Sequence, residues 1–248
     1  MDWSAEDLAR YELELRDARA WSYDRDYNRL HGPLFPSVEI HLIHRALNLS
    51  QHDILLDLGC GTGRLTEQLA PLVEHIIAVD RSGGSLDVLR DRLKKRAVQN
   101  VTIIQADAVK ALPINRRVSK VLSVQLLQHL PTTSDRSSAL RHAAEWLDRG
   151  GRCVVIDEVF GLVRRVRGKP REVAKADALC FHTFTGKEMR NIAKQAGLKP
   201  IRFMGCGLLY WTRYGLSPKV LTRLDEWSSR LPGAWLVSKF GATIAVKD

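Results

Sequence analysis

Short apolar runs alternate with amphipathic stretches through the middle of the chain. Five apolar runs that end at polar residues or glycine predict strands at Asp53–Leu58, His75–Asp80, Val101–Ala106, Val118–Val124 and Arg152–Val159. The apolar spacing between them predicts helices over Thr62–Leu72, Ser85–Arg96 and Ser134–Leu147. We expect Gly150 and Gly151 to end the last of these helices. Such alternation predicts an α/β fold whose parallel sheet is covered on both faces.

The pattern differs toward the start of the chain. Residues 4–30 are predicted to be helical, and Ser4 with Asp7 forms a variant of the capping box. Aromatic residues, glycine and prolines then interrupt the helical pattern as far as Pro36. A second helix is predicted over Ser37–Leu47.

The alternation of helix and strand continues once more in the last third of the chain. Thr185 and Glu188 form a capping box, and Gly197 is expected to end the helix that they begin. The remaining predicted elements are a strand at Ile201–Met204, a helix over 217–230 with Val220, Leu221, Leu224 and Trp227 on one face, and a strand at Gly241–Val246.

The composition fits one large domain, or a core with a modest appended element. Of the 248 residues 45% are hydrophobic, which is enough for a sizeable core. No apolar run reaches the roughly 18 residues that a membrane helix needs. The acidic segment Met1–Glu6 lacks the layout of a signal peptide, so we expect a soluble cytoplasmic protein. The four cysteines form no C-x-x-C pair, which predicts free thiols and no metal site.

The formal net charge of +10 comes partly from one basic run between Arg164 and Arg171. A run of this kind is either a solvated loop or a surface that attracts phosphate. Residues 162–175 contain no aromatic side chain on which a base could stack, so nucleic acid is not the favoured partner.

The first predicted strand ends in a glycine turn, Gly59-x-Gly61-x-Gly63, and a helix follows at once. Glycines let the backbone turn sharply and let a ligand lie against it without a Cβ in the way. Arg64 occupies the place where the dinucleotide fingerprint needs its third glycine, and the chain has no G-K-[S/T] of a P-loop. The turn therefore indicates a ligand other than a dinucleotide or the nucleotide of a P-loop.

Acidic residues stand at the ends of three successive predicted strands: Asp57, Asp80 and Asp107. In a parallel sheet these ends lie at one edge, where ligands bind. A carboxylate at Asp80 can accept both hydroxyl hydrogens of a ribose, and one at Asp107 can accept from an adenine amino group. Each residue also has a structural alternative, since Asp57 could orient the turn, Asp80 could cap the next helix and Asp107 could hold a turn.

Five segments in register resemble the motifs of class I S-adenosylmethionine-dependent methyltransferases of the small-molecule type. They are Leu55–Gly63 (motif I), Asp80 (the motif II acid), Gln105–Ala108 (motif III), Val121–Leu130 and Leu147–Arg152. The resemblance covers roughly residues 37–160, and more weakly 180–248. It implies a Rossmann-like, doubly wound sheet of seven strands with a reversed last hairpin, and S-adenosylmethionine as the cofactor.

The resemblance also implies where the cofactor would lie. Asp57 would help to orient the methionine end, which would pass beside Gly59, Gly61 and Gly63, while adenine would lie at Asp107 and Ala108. Arg81 stands where relatives often have an apolar residue, and its aliphatic stem could substitute. We add three residues to the predicted cofactor site: Cys60, as a small residue of the turn, together with Gln125 and Tyr27.

The resemblance further divides the chain into a lid at residues 1–36 and a core at 37–248. Within the core, the basic insert at 160–182 would contribute to an acceptor lid, and 212–238 would form a helical insert. The acceptor would lie near the ends of the fourth and fifth strands. His129 is the first candidate base there, since histidine titrates near neutrality, although it could equally be a packing residue. The reserve candidates are Asp157 and Glu158, of which only one should face the site, and His182.

These residues favour transfer of a methyl group to an oxygen or nitrogen atom of a small natural product, lipid precursor or sugar-like acceptor. A methyltransferase for RNA or protein that uses the basic insert is the first alternative. A non-catalytic protein that keeps the cofactor pocket is the second. The oligomeric state stays open.

Overall fold

The computed structural model describes residues 4–31, 35–175, 178–207 and 233–248, together with 220, 223, 224 and 227. Its α-helices are α1 (Ala5–Arg19), α2 (Tyr23–His31), α3 (Phe35–Leu47), α4 (Arg64–Leu69), α5 (Gly83–Lys95), α6 (Thr133–Trp146), α7 (Leu162–Val166) and α8 (Gly186–Gln195). Its strands are β1 (Ile54–Leu58), β2 (His75–Asp80), β3 (Val101–Gln105), β4 (Val118–Val124), β5 (Leu147–Glu158), β6 (Glu172–Lys175), β7 (Ala178–His182), β8 (Lys199–Cys206) and β9 (Phe240–Val246).

Seven strands form one sheet in the order β3-β2-β1-β4-β5-β9-β8. The first five strands are parallel, and β9 runs antiparallel to both β5 and β8. The expected Rossmann-like sheet with a reversed last hairpin is therefore confirmed. Strand order reverses between β1 and β4, and in open α/β sheets the crevice at such a point is where ligands bind.

Two apolar layers cover the sheet, one on each face. Leu56, Val79 and Val121 belong to the layer that α6 and α8 complete. Leu55, Ile76 and Leu122 belong to the opposite layer, which α3, α4 and α5 complete. Because successive side chains of a strand point to opposite faces, both faces of β1 need apolar residues. This explains the unbroken apolar runs of the sequence.

The helix before β5 ends earlier than predicted. Helix α6 stops at Trp146, and Leu147 already has extended backbone and is fully buried. Gly150 has a φ of +75°, so it and Gly151 form an irregular start of β5, not the end of the helix. Burial of Leu147 in the sheet explains the difference.

The segment after β5 contains a feature that the sequence did not predict. Strands β6 and β7 form a separate antiparallel hairpin, with Glu172 opposite His182. The hairpin follows α7, so the basic run is part of a folded insert. An isolated bridge between Val159 and Phe184 joins the end of this insert to the core.

The predicted helix over 217–230 lies mostly outside the described residues. Of its expected apolar face, Val220, Leu224 and Trp227 are described and are exposed, while Leu221 lies outside the description. Among the helices that the structure describes, none is long and apolar enough to cross a bilayer.

Candidate active site

A cavity of about 400 Å³ opens at the carboxyl ends of the parallel strands. This volume lies within the range of about 300–1,000 Å³ that is usual for small-molecule sites. The loops after β1, β2, β3 and β4 form its floor, while α1, α2 and Phe181 of β7 form its roof. Residues from four of the five sequence motifs therefore line one cavity.

The glycine turn after β1 presents open space at its middle residue. Gly61 has a φ of +53°, and a Cβ built on it would meet nothing within 4 Å. Gly59 and Gly61 line the cavity, so a ligand can lie directly against this backbone.

Gly63 has a different role from the one implied by the resemblance. It does not line the cavity, and a Cβ on it would lie 2.1 Å from Leu89 Cδ1. With a φ of +76° it starts α4 and lets that helix pack closely on α5. Close packing of helices explains this glycine, not contact with a ligand.

Asp57 lies at the cavity wall near the end of β1 and is 3% exposed. Burial raises its pKa to about 6, against the hydrogen bond that its Oδ2 accepts from Thr66 Oγ1 at 2.7 Å. The Asp80 carboxylate raises the pKa further. A cationic group placed beside Asp57 would restore the ionised form.

Asp80 connects two of the loops that form the cavity. Its Oδ2 accepts a hydrogen bond from the backbone N–H of Gly61, and its Oδ1 accepts from that of Ser82, both at 2.9 Å. Ser82, not Asp80, is the N-cap of α5. A carboxylate has about four acceptor positions, so Asp80 keeps capacity for ligand hydroxyl groups at the cavity.

Asp107 and Ala108 line the cavity after β3, as does Arg81 after β2. Asp107 Oδ1 accepts from the backbone N–H of Val109 at 3.0 Å. The turn-holding alternative is thus present in the structure, and the same carboxylate still faces the cavity. The three residues lie together at the part of the cavity beside the carboxyl ends of β2 and β3.

Gln125 has strained backbone at the end of β4, with a φ of +53° in a residue other than glycine. Its side-chain Nε2 donates to the Tyr27 hydroxyl at 2.8 Å. Tyr27 is held in turn by Glu39, 3.3 Å away, and by the Arg64 guanidinium, 4.3 Å above its ring. These contacts bring both predicted residues, Gln125 and Tyr27, to the cavity wall.

Arg64 is a site residue that the sequence reasoning used only to exclude a dinucleotide. It lines the cavity directly after the glycine turn, and Nη2 contacts Glu39 Oε2 at 2.6 Å. Its Nη1 is buried without a hydrogen-bond partner among the described residues. A guanidinium with a spare donor beside a ligand cavity can bind a carboxylate.

Two aspartates hold the N-terminal helices on the loops of the cavity. Asp17 Oδ1 of α1 accepts from Ser82 Oγ at 2.6 Å and from the backbone N–H of Gly84 at 2.9 Å. Asp24 of α2 accepts from Thr62 Oγ1 at 2.7 Å and pairs with Arg92. The helices over the cavity are therefore attached to both the glycine turn and the loop after β2.

The short 3₁₀ turn Leu127–His129 brings His129 and Gln128 to the cavity after β4. Glu158 also lines the cavity, where it pairs with Arg164 at 3.0 Å and with Lys239 at 3.5 Å. Asp157 faces away from the cavity and is fully buried, and burial raises its pKa well above the usual range. The alternation along β5 thus brings one of the two acids to the site, as predicted.

His182, a reserve candidate base, does not line the cavity. Its Nδ1 is 2.6 Å from Glu172 Oε1, and its ring packs edge-on against Phe184. Burial and the nearby Arg136 lower its pKa. The β6–β7 hairpin turns His182 toward these partners and turns the preceding Phe181 toward the cavity.

Cys60 lies in the glycine turn as a thiol. Burial and the carboxylates of Asp80 and Asp57 raise its pKa well above the usual range. A thiol held neutral is a poor nucleophile, so its position fits a small residue of the turn.

The strand order and the helices on both faces of the sheet define the Rossmann-like fold that class I S-adenosylmethionine-dependent methyltransferases share. More narrowly, residues 55–151 match the family model described as "Methyltransferase domain". The match covers 97 of the 248 residues, from β1 to the start of β5.

Solved structures share the fold over most of the chain. A S-adenosylmethionine-dependent methyltransferase from Clostridium acetobutylicum superposes with a TM-score of 0.65 at 14% identity, covering 91% of this chain and 98% of that one. The protein of the "DhpI-SAH complex structure" superposes with a TM-score of 0.64 at 16% identity, covering 97% of each chain.

Curated relatives match shorter segments and have different functions. A "Probable cobalt-precorrin-6B C(15)-methyltransferase (decarboxylating)" of Methanococcus vannielii is 34% identical over 98 residues, which are 39% of this chain and 54% of that protein. A "Probable ribosomal RNA small subunit methyltransferase A" of Methanosarcina acetivorans is 42% identical over 65 residues, which are 26% of this chain and 23% of that protein. The chain thus spans about half or less of the length of these two relatives.

Proposed function

We propose that this protein transfers a methyl group from S-adenosylmethionine to an oxygen or nitrogen atom of a small-molecule acceptor. One observation carries the proposal: Asp57, Asp80 and Asp107 surround a single cavity beside the open face of Gly61. The cavity thereby offers an acceptor for an ammonium group, an acceptor for ribose hydroxyls and an acceptor for an adenine amino group. Together these match the polar groups of the cofactor.

The residues around the glycine turn would hold the cofactor. Asp57 would face the amino group of the methionine end, and the spare donor of Arg64 would bind its carboxylate. The loops after β2 and β3 would hold ribose and adenine, and α1 and α2 would exclude water as a lid. The cofactor supplies an electrophilic methyl group on a sulfonium, so the protein chiefly supplies alignment.

Affinity for S-adenosylhomocysteine is expected to depend on the ionisation of Asp57. Below pH 6 the buried carboxyl binds a proton, since its pKa is about 6 in the free protein. Placing an ammonium beside it must expel that proton, so Kd should rise by up to about tenfold for each pH unit below 6. Calorimetry from pH 5 to pH 8 measures this directly.

The matched variant for this experiment is Asp57→Asn, which keeps the shape and removes the titration. Its affinity should be weaker at pH 7 and nearly independent of pH across the same range. A wild-type affinity that stays constant from pH 5 to pH 7 would contradict the placement of the ammonium group at Asp57.

The size of the cavity supports a small acceptor. Its volume is about 400 Å³, and α1, α2 and Phe181 of β7 cover part of it. Two arginines of the basic run have internal partners: Arg164 pairs with Glu158, and Arg171 pairs with Glu188. Ion pairs of this kind hold the insert onto the core, which reduces the charge that the run can offer to phosphate.

RNA binding is expected to be weak and non-specific. Any affinity for RNA would come from surface charge alone, so it should fall steeply with salt concentration and be lost at moderate ionic strength. A transfer assay with radiolabelled S-adenosylmethionine and fractionated cell extract tests the acceptor class. Label should enter the small-molecule fraction and survive ribonuclease treatment.

Two other outcomes would change the proposed function. Label that enters RNA and disappears with ribonuclease would favour the RNA alternative, which the ribosomal RNA relative also supports. Tight binding of S-adenosylhomocysteine without transfer to any fraction would favour the non-catalytic alternative.

A further inference from the structure

A carboxylate from the N-terminal helix lies beside the candidate base. Glu12 Oε1 of α1 is 3.4 Å from His129 Nδ1 and 3.0 Å from Arg16 Nε. Glu12 is 3% exposed, and Glu12, Arg16 and His129 all line the cavity. A buried acid from α1 and an imidazole from the turn after β4 therefore form a pair at the cavity that spacing along the sequence does not indicate.

The hydrogen bonds around Gln128 determine which nitrogen of His129 carries its hydrogen. The backbone N–H of Glu158 can only donate, and it donates to Gln128 Oε1 at 3.2 Å. This fixes the orientation of the amide, so Gln128 Nε2 is the donor that faces His129 Nε2 at 3.2 Å. His129 Nε2 must then present its lone pair, and Nδ1 carries the hydrogen that points toward Glu12.

We propose that Glu12 is a positioning residue that sets the tautomer and basicity of His129, so that the proton-accepting group forms only when α1 is docked. The inference rests on the proposed function. His129 Nε2 gives up its hydrogen bond from Gln128 and takes the proton of the acceptor as the acceptor's oxygen or nitrogen bonds to the methyl carbon. The bond from sulfur to that carbon breaks, leaving S-adenosylhomocysteine. The resulting imidazolium is stabilised by the Glu12 carboxylate.

The docking of α1 connects this pair to the cofactor loops. Asp17 lies on the same helix as Glu12 and is attached to Ser82 and Gly84. Ser82 lies in the loop that follows Asp80, the proposed ribose acceptor, and Gly84 lies in the first turn of α5. A cofactor that orders the loop therefore also places Glu12 against His129.

Other charged groups near His129 come from several elements. The elements packed around the 3₁₀ turn contribute Arg16 from α1, Glu158 from β5 and Arg136 from α6. Arg164 is also near, since its guanidinium lies 5.5 Å from the centre of the Phe181 ring of β7. Glu158 already pairs with Arg164 and Lys239. Glu12 is the acid whose oxygen approaches Nδ1, so it is the residue to change.

Nitrogen-15 NMR of the full chain, labelled at histidine and saturated with S-adenosylhomocysteine, tests the inference without an identified acceptor. The chain has eight histidines, and His129→Gln assigns the signal. His129 should be protonated at Nδ1 when neutral. In Glu12→Gln the pH midpoint of its titration should fall by about one unit or more, since a carboxylate at this distance favours the charged ring.

Glu14→Gln is the matched control, because Glu14 is exposed on the same helix and loses the same charge. It should leave the midpoint of His129 in place. If Glu12→Gln does not fold, Asp17→Asn, which loosens α1 away from His129, should move the midpoint in the same direction.

An unmoved midpoint in the folded variant, or a neutral ring protonated at Nε2, would overturn the role of Glu12. The affinity for S-adenosylhomocysteine, measured in the same samples, tests the proposed function separately. If the wild-type chain does not bind S-adenosylhomocysteine, the proposed cofactor site is wrong. If it binds but Glu12→Gln leaves the pH midpoint of His129 unmoved, only the pairing of Glu12 with His129 is wrong.

Discussion

Asp80→Ala is expected to weaken binding of S-adenosylhomocysteine by about 1.5–3 kcal/mol for each charged hydrogen bond lost, roughly 10- to 150-fold each. The carboxylate would accept from two ribose hydroxyls. It also accepts from the backbone N–H groups of Gly61 and Ser82, so its loss loosens both loops that form the cavity. Calorimetry on the purified variant measures the change in affinity.

Two further variants separate the contact with ribose from a general loss of structure. Asp80→Asn keeps the side-chain shape and one acceptor oxygen, so it should lie between the wild type and Asp80→Ala. Asp87→Ala removes an exposed acid of α5 outside the cavity and should bind as the wild type does. Unchanged affinity in folded Asp80→Ala would remove Asp80 from the cofactor site.

His129→Ala is expected to lower turnover by about 10²- to 10⁴-fold, which is the usual contribution of a general base. Its affinity for S-adenosylhomocysteine should stay near that of the wild type, because His129 lies in the 3₁₀ turn after β4 and not at the glycine turn. The single-turnover rate across pH, with an acceptor found by the transfer assay, is the measurement.

His52→Ala serves as the control, since His52 is exposed and precedes β1 at the opposite end of the sheet. It should retain full activity. A His129→Ala rate within about threefold of the parent, far below the general-base range, would show that alignment alone supplies the rate. An acceptor amine that is already neutral at the working pH predicts that result.

The cavity lining at the ends of β1, β2 and β3 could be predicted from the sequence because its residues are local. The turn Gly59–Gly63 follows directly on an apolar strand, and Asp80 and Asp107 end the next two strands. Parallel strands place such ends at one edge, so spacing along the chain translates into proximity in space. Gly63 is the glycine of the turn that does not line the cavity, and the sequence does not show that Leu89 packs against it.

The roof of the cavity could not be predicted in the same way. Glu12 and Arg16 are four residues apart on a helix, a spacing that is equally typical of a solvated ion pair. Their burial depends on where α1 packs in the fold. Glu12 lies 117 residues before His129 in the sequence, so spacing along the chain does not indicate their contact. His182 shows the converse, because the β6–β7 hairpin that turns it away had no clear turn signal.

We expect the attachments of Asp17 and Asp24 to the cavity loops to affect how long a bound molecule stays. If the cofactor binds at these loops, its binding and the docking of the N-terminal helices stabilise each other, because such coupling is reciprocal by thermodynamic necessity. Cleavage of that segment by protease should therefore slow when S-adenosylhomocysteine is bound, and the product should have a long residence time. Release then requires four hydrogen-bonded contacts to open, at Ser82, Gly84, Thr62 and Arg92. Release of S-adenosylhomocysteine, and not the chemical step, would then limit the rate of turnover.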